Sequence, residues 1–589
     1  MTNQNGCTSV EMAVKGDGET SAGESAHGAR LGGSLLFRRT MAALLDEIEI
    51  GFRELEVQVQ VQVGDLSMTY EFAAITSRCA LVDRPSQTQF PLVGKEDGKF
   101  FSVAQLRWFK HGPKIIHEAY ERFHDIIYRL PSTDRTSIVL PIRYLDEVST
   151  LPSSVANNSE ATSDFFVGTW TTLDYDIFGH ATFEAIQTQY ISKISQQVGP
   201  AANEAGYAFN KHLSAYADWT PIAIQPKILQ IVAQMVARTV AGPDVCRNPQ
   251  WTESVIGYAR DVAMAAIKLK LVPKVLRPVV AIVTPNLYRI RQHRRKILQL
   301  ISPTINQRLE WRREQPEYWT ARLKTEEVQT VDWLVEASKP HEATVEMIAH
   351  RLTGVSFGAT HTTSNHITNC ILELAADFDR WAPPLREEIE STLALNPGTI
   401  TNADLSKMWK LDSFMKEAQR FHPPSKREAW HISYAVSVNR KILKSFRLST
   451  GESIGKDSHI CFSGVPISMD DQYFTDAKSF DGFRFERLRK DAETRHSGLQ
   501  FTSSYAGSLH FGHGRHICPG RFMGSLISKL LIIEILLRYD LKLKAGKARP
   551  DNLNFMDMDM PDPQYEILIR NRQCDGDVQV THLLHQEKQ

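Results

Sequence analysis

The stretch His341–Arg380 constrains this chain more than any other. Val345, Ile348, Leu352, Val355 and Ala359 fall on one helical stripe, and Ile367, Cys370, Ile371, Leu374 and Phe378 continue it. The spacing predicts one very long helix, interrupted only by the polar run GATHTTSN, Gly358–Asn365. Further helical patterns are available to cover its apolar face. They dominate from Asn203 to Ser302, where KILQIVAQMVARTV is the clearest. Asp404–Phe421 forms another, ended by Pro423 and Pro424, and an apolar helix runs from about Pro519 to Tyr539. Strand signals are fewer. TSIVLPIRYLDEV reads as a strand and a following turn, Ser425 to Phe501 holds short strand and turn patterns, and PDPQYEILIRN reads as part of a terminal hairpin. Arg53–Gly64 alternates strictly from Leu55 to Val63, which is strand periodicity in too repetitive a stretch to carry a function. The fold class expected is mainly α with minor β. The first thirty or so residues are small, polar and low in aromatics, as disordered segments are.

Composition excludes several functional classes. Lys plus Arg and Asp plus Glu both number 68, so no whole-chain charge favours nucleic acid, and none is expected as a partner. The seven cysteines are scattered, odd in number and without a CxxC pair, which argues against a secreted disulfide scaffold and for a reducing compartment. No apolar run is long enough to span a membrane, and the polar N-terminus does not read as a signal peptide. Taken alone, these features lead to the expectation of a soluble intracellular protein.

Four local constellations carry chemistry. FGHGRHICPG, Phe511–Gly520, surrounds Cys518 with Gly512, Gly514, Pro519 and Gly520, which permit tight turns. The helix that follows aims backbone N–H groups and a positive dipole end at the sulfur, favouring a thiolate suited to a soft metal or haem iron. The same run admits zinc, because His510, His513, His516 and Cys518 are spaced HxxHxxHxC, although no second ligand pair is evident. A buried apolar thiol is the plainest alternative. In GATHTTSN the threonines either bond back to the preceding turn or form a polar kink over a bound group. GVSFG, Gly354–Gly358, matches a serine-hydrolase elbow around Ser356, but that motif needs a preceding strand where this sequence is helical. Glu417 and Arg420 form an i,i+3 pair beside Phe414, Ala418 and Phe421, so a buried pair needing further partners is expected. Arg484, in FDGFRF, is a candidate third partner.

In this order and at these separations the four segments resemble the cytochrome P-450 family of haem-thiolate monooxygenases, from roughly Phe90 to the C-terminus. Phe511, Gly514, Cys518 and Gly520 occupy the places of the family's haem loop FxxGxRxCxG, and Glu417 and Arg420 those of its ExxR pair. Arg484 matches its meander arginine, and Gly358–Thr363 its motif (A/G)Gx(D/E)T(T/S), with Ala359 replacing the second glycine. The resemblance implies the P-450 fold, with a long central helix over haem b and small sheets. It implies an atypical N-terminal segment over 1–85 and a haem-thiolate monooxygenase domain over 86–589. Cys518 would be the axial ligand of the iron. His516 stands where most members pair an arginine with a haem propionate, and the basic residue that meets the other propionate is not placed near GHATFEAIQTQYISK. Thr362 would handle oxygen and protons, flanked by Thr363 and by His361 in place of the usual acid. Glu417, Arg420 and Arg484 would form a structural triad.

The resemblance further implies insertion of one oxygen atom from O2 into an apolar small molecule. Electrons would come from NADPH through NADPH-cytochrome P-450 reductase, docking on a face that includes Arg515 and Arg521. It implies a monomer associated with the cytosolic face of the endoplasmic reticulum membrane. FGHGRHICPGRF, GATHTTS and FDGFRF look most like the filamentous-fungal members of secondary metabolism, which implies a terpenoid, indole-diterpene or related substrate. Those members begin with a membrane anchor that this N-terminus lacks, and Arg427–Ala435 reads as an insertion or an unspliced segment. Two other readings stay open: a haem-thiolate isomerase or dehydratase that uses no O2, and a zinc-stabilised interaction protein.

Overall fold

The computed structural model describes residues 56–63, 66–73, 89–93, 115–131, 135–213, 215–325, 328–422, 437–495, 497–555 and 558–573. The chain divides into two compact units, Met1–Val82 and Asp83–Gln589. In the first, Glu56–Val63 pairs antiparallel with Leu66–Ala73, from Glu56 opposite Ala73 to Val63 opposite Leu66. The alternating stretch is therefore a strand.

The second unit is mainly helical around the helix Val345–Ala376. Thr344 caps its start by accepting the Met347 N–H. The polar run does not break it. The hydroxyls of Thr353, Thr360, Thr362 and Thr368 each donate to the carbonyl four residues earlier, at 2.7–2.8 Å. These four hydroxyls are thus satisfied on the helix itself. The expected helix His341–Arg380 is shorter at its far end, because Asp377 leaves helical space (φ −149°, ψ 65°) and Phe378–Ala394 forms a separate helix. Helices Ile224–Val240, Pro249–Lys270, Pro285–Glu314 and Arg521–Arg538 pack against the central one. Ile348, Leu352, Ile367, Ile371 and Leu374 are buried in one core with Leu531 and Ile533 of the last of these.

The expected helix Asp404–Phe421 is two helices, Asn402–Lys407 and Trp409–Phe421, separated at Met408. The second starts where the Glu388 carboxylate accepts the backbone N–H groups of Lys410 and Leu411, at 2.8 and 2.9 Å. These are donors a helix start otherwise leaves unpaired. The last apolar helix begins at Arg521 and ends at Arg538.

A five-stranded sheet runs in the order Tyr128–Pro131, Thr136–Val139, His459–Phe462, Ser437–Ile442, Ala156–Asn157. Only Thr136–Val139 with His459–Phe462 is parallel. A three-stranded sheet joins Tyr539–Lys542, Glu566–Asn571 and Thr220–Ala223, with Glu566–Asn571 in the middle. The expected terminal hairpin is thus the centre of a sheet whose third strand comes from far earlier in the chain, a partner that local periodicity cannot reveal. Among the described residues no helix is long and apolar enough to cross a membrane. Pro423, Pro424, Arg427–Ala435 and the first thirty residues lie outside the described residues.

Candidate functional site

Phe511–Gly520 folds into a tight loop ahead of Arg521–Arg538. Gly512 and Gly514 have φ of +75° and +66°, a region that favours glycine. A Cβ placed on Gly514 would lie 2.5 Å from Cβ of Ser149. The Cys518 N–H donates to the Phe511 carbonyl at 2.7 Å, closing the loop. The Cys518 side chain is half-buried by surface exposure, yet enclosed closely enough that burial pushes its thiol up. The N–H groups of Gly520 and Arg521 and the Arg521 guanidinium pull the other way. A metal cation at the sulfur removes that proton outright.

Glu417 and Arg420 have no exposed surface, and Arg484 is buried with them. Arg420 binds Glu417 through two parallel bonds, Nε to Oε2 at 2.8 Å and Nη2 to Oε1 at 2.7 Å. Arg484 Nε donates to the same Oε1 at 3.2 Å, as does the Asp481 N–H at 3.0 Å. The remaining guanidinium donors reach carbonyls of Ser468, Ala477, Ser479, Thr475 and Asp476. The three expected residues therefore meet, and a buried carboxylate with two cations is fully partnered. The arginines order the backbone of 468–481.

On the central helix, only Gly358 and Thr362 are exposed between Met347 and Ala375, one turn apart. Thr362 donates its hydroxyl to the Gly358 carbonyl at 2.8 Å. Thr363 is buried toward the post-cysteine helix, its Oγ1 3.6 Å from a Cβ placed on Gly524. His361 turns toward the helix Pro249–Lys270, bonded to the backbone of Ile256, and its Nε2 is buried without a partner. Burial pulls its pKa down to about 4, so it is neutral at pH 7. The three adjacent residues thus point in different directions.

Arg440 escapes the sequence reading. It lies on the strand Ser437–Ile442, is 1% exposed, and donates to the carbonyls of Asn439 and His513 at 2.8 and 3.3 Å. Among the described residues it forms no ion pair, and burial pulls it down to about 10. A guanidinium at an inward position of an alternating strand is the signal that could have found it. His516 bonds Ser153 Oγ at 3.3 Å, and burial, then Arg440, pull it down to about 4. GHATFEAIQTQYISK holds a short helix His180–Phe183, whose basic residue is His180, and a π-helix Glu184–Tyr190 with none, while Lys193 donates to the Leu323 carbonyl. Arg521 donates to the Cys518 carbonyl at 2.9 Å, whereas Arg515 is exposed.

The zinc and serine-hydrolase alternatives find no geometry among the described residues. Among the described residues no group of three or more His, Cys, Asp or Glu is placed to hold a metal ion. His513 instead bonds Ser504 and His510 is enclosed, its Nε2 buried without a partner. Ser356 lies within the central helix and not on an elbow. A thiol at the head of a helix, an exposed window in a buried helix and a buried arginine lacking a counter-ion together fit a haem with its carboxylates.

The family model described as Cytochrome P450 matches residues 253–569. Cytochrome P450 monooxygenase BOA4 of Botryotinia fuckeliana is 32% identical over 77% of this chain and 88% of its own length. Cytochrome P450 monooxygenase paxP of Penicillium paxilli is 31% identical over 80% of this chain and 88% of its own. Cytochrome P450 monooxygenase olcJ of Penicillium canescens is 29% identical over 83% and 90%. A solved structure, retinoic acid-bound cyanobacterial CYP120A1, superposes with a TM-score of 0.58 at 15% identity, covering 80% of this chain and 96% of that one. That likeness bears on the fold, which is the one the helices and small sheets above describe. With a family match over more than half its length, this chain belongs to the cytochrome P450 family, and it is a monooxygenase whose family implies a haem-thiolate cofactor.

Proposed function

We propose that this monooxygenase inserts one oxygen atom from O2 into an apolar natural product of fungal secondary metabolism, a terpenoid or indole-diterpene class of substrate. Electrons come from NADPH through a flavoprotein reductase. The observation that carries the site is Cys518, held at the head of an apolar helix by its N–H bond to the Phe511 carbonyl. The residues 86–589 form the catalytic body.

When bound, the haem would supply the oxygen chemistry, and the Cys518 thiolate would hold its iron and tune its reactivity. Phe511, Gly514 and Gly520 shape the loop that presents the sulfur. Arg440 would take a propionate, and His516, neutral and tied to Ser153, would offer at most a hydrogen bond beside it. Thr362 holds a proton at Oγ1, now donated to the Gly358 carbonyl, and can turn it into the exposed window. His361, neutral at pH 7, orients the helix face behind Thr362 and brings no charge to it. Thr363 packs that helix onto the post-cysteine helix. Glu417, Arg420 and Arg484 hold the segment from Ser468 to Ser479. Arg515 is the exposed cation available to a reductase, since Arg521 is engaged with Cys518.

Attachment to a membrane surface has support in one patch. Val275, Ile282, Val283 and Tyr288 are 76, 80, 58 and 60% exposed, beside the exposed Lys274, as an interfacial segment would be. Ile282→Asp is expected to lower co-flotation with anionic phospholipid vesicles, and equal flotation would remove this attachment. The function itself is tested by reducing the purified protein under carbon monoxide. A thiolate-type Soret band is expected, Cys518→Ala should abolish it, and substrate-dependent consumption of NADPH and O2 should follow. A band that survives Cys518→Ala would overturn the assignment.

A further inference from the structure

The ion-pair helix Trp409–Phe421 carries, one turn before Glu417 and Arg420, a second set of buried charges that the triad does not use. Lys416 is 1% exposed and among the described residues makes no ion pair. Its Nζ donates to the carbonyls of Gln500 and Ser503, at 2.8 and 3.0 Å, with the Phe485 ring 5.3 Å away. Asp412, four residues earlier and so on the same face, accepts the Phe501 N–H at 3.0 Å. Asp412 is itself fixed by Lys529 of the post-cysteine helix at 2.9 Å and by Arg489.

These bonds grip one turn. The Ser503 N–H donates to the Gln500 carbonyl at 3.0 Å, closing Gln500–Ser503. Lys416 thus holds both end carbonyls, and Asp412 holds the N–H between them. The Phe501 ring lies between two parts of the site. It stacks on His366 of the central helix, centroids 4.9 Å apart and planes at 20°, and meets Phe511 edge-on at 5.4 Å. Ser504, next in the chain, donates to the Gly512 carbonyl at 2.6 Å and bonds His513 Nδ1 at 3.1 Å. Phe511 is the residue whose carbonyl takes the Cys518 N–H.

We infer that Asp412 and Lys416 are positioning residues for the cysteine loop, clamping the turn Gln500–Ser503 so that Phe501 and Ser504 hold Phe511–His513 in the shape that keeps Cys518 on the iron. This rests on the reading of Cys518 as the axial ligand. The clamp acts through a turn and an aromatic contact, whereas the triad acts through carbonyls of 468–481. Its function is to make thiolate ligation persist.

The test uses the full-length holoprotein and follows loss of the thiolate-type Soret band of the ferrous carbonyl complex in mild urea, with haem per chain measured separately. Lys416→Met should speed that loss about tenfold, the size of one hydrogen bond. Ser504→Ala should speed it less, and the double variant should be no faster than Lys416→Met alone, because both act through one turn. Amide exchange in 511–518 should rise in both single variants. An unchanged rate in Lys416→Met, or two effects that simply multiply, overturns the clamp. If Lys416→Met does not fold, Asp412→Asn with Ser504→Ala forms the same cycle with the same two outcomes. A wild-type protein with no thiolate band would instead overturn the Cys518 reading, so the two failures are distinguishable.

Discussion

Glu417 shows most directly how much one side chain is asked to do. It has no exposed surface and accepts from two guanidiniums and a backbone amide. Glu417→Gln would leave Arg420 and Arg484 buried beside a neutral group. A loss of about 3–5 kcal/mol is expected, read as a lower urea midpoint and less haem per chain. A midpoint equal to the parent's would show that the carbonyls of 468–481 suffice. Thr362→Val should behave oppositely. A mid-helix threonine bonded to its i−4 carbonyl adds little or nothing to helix stability, so the midpoint should hold while product formed per NADPH consumed falls. Undiminished yield would remove Thr362 from the proton path. Glu417, Arg420, Thr362 and Cys518 stood out as candidates because each lies in a short run with fixed spacing. Arg440 did not, because its burial depends on which face of Ser437–Ile442 turns inward, and that is set by strands from elsewhere in the chain. His516 drew attention by position, yet its ring is committed to Ser153.

At the scale of elements, apolar periodicity predicted the existence of the central and post-cysteine helices but placed their ends poorly. Residues around Asp377 and Met408 are acceptable in helices by propensity. What starts a new helix at Trp409 is a cap from another element, the Glu388 carboxylate on Lys410 and Leu411. Glu388→Ala should therefore cost about 0.5–2 kcal/mol, the range for a lost cap. Glu388→Gln, which keeps an acceptor, should cost less. Denaturation midpoints that rank the two variants the other way would contradict capping as the role of Glu388. PDPQYEILIRN shows the same limit for strands. Its alternation marked a strand, and only the fold shows two neighbours, both earlier in sequence, Tyr539–Lys542 close by and Thr220–Ala223 far away.

The whole molecule should be sensitive to acid well before its carboxylates titrate. His361, His366 and His510 are held neutral by burial, pulled down to about 4, 3 and 3, while in the unfolded chain each takes a proton near pH 6.5. Between those values the unfolded state binds more protons, so stability rises with pH across the window and falls on acidification. The denaturation midpoint should drop from about pH 6.5 downward, and an equal midpoint at pH 7 and pH 5 would refute this. Asp412 adds a separate, later loss. Burial raises it, but Lys529 and Arg489 more than offset that and hold it at about 2, so its contribution persists until the pH falls from about 3.9 through 2.

The five-stranded sheet also sets a timetable for making the protein. Thr136–Val139 finds its parallel neighbour only in His459–Phe462, and the Cys518 loop emerges later still. At about 5–20 residues per second, a ribosome needs roughly 15–60 s to supply the roughly three hundred residues between the two strands. Through that interval the hairpin Tyr128–Val139 has an unpaired edge and awaits its neighbour. An unpaired edge held open for so long is a site for association between nascent chains, and pausing translation just before codon 459 should increase aggregation of the nascent chain.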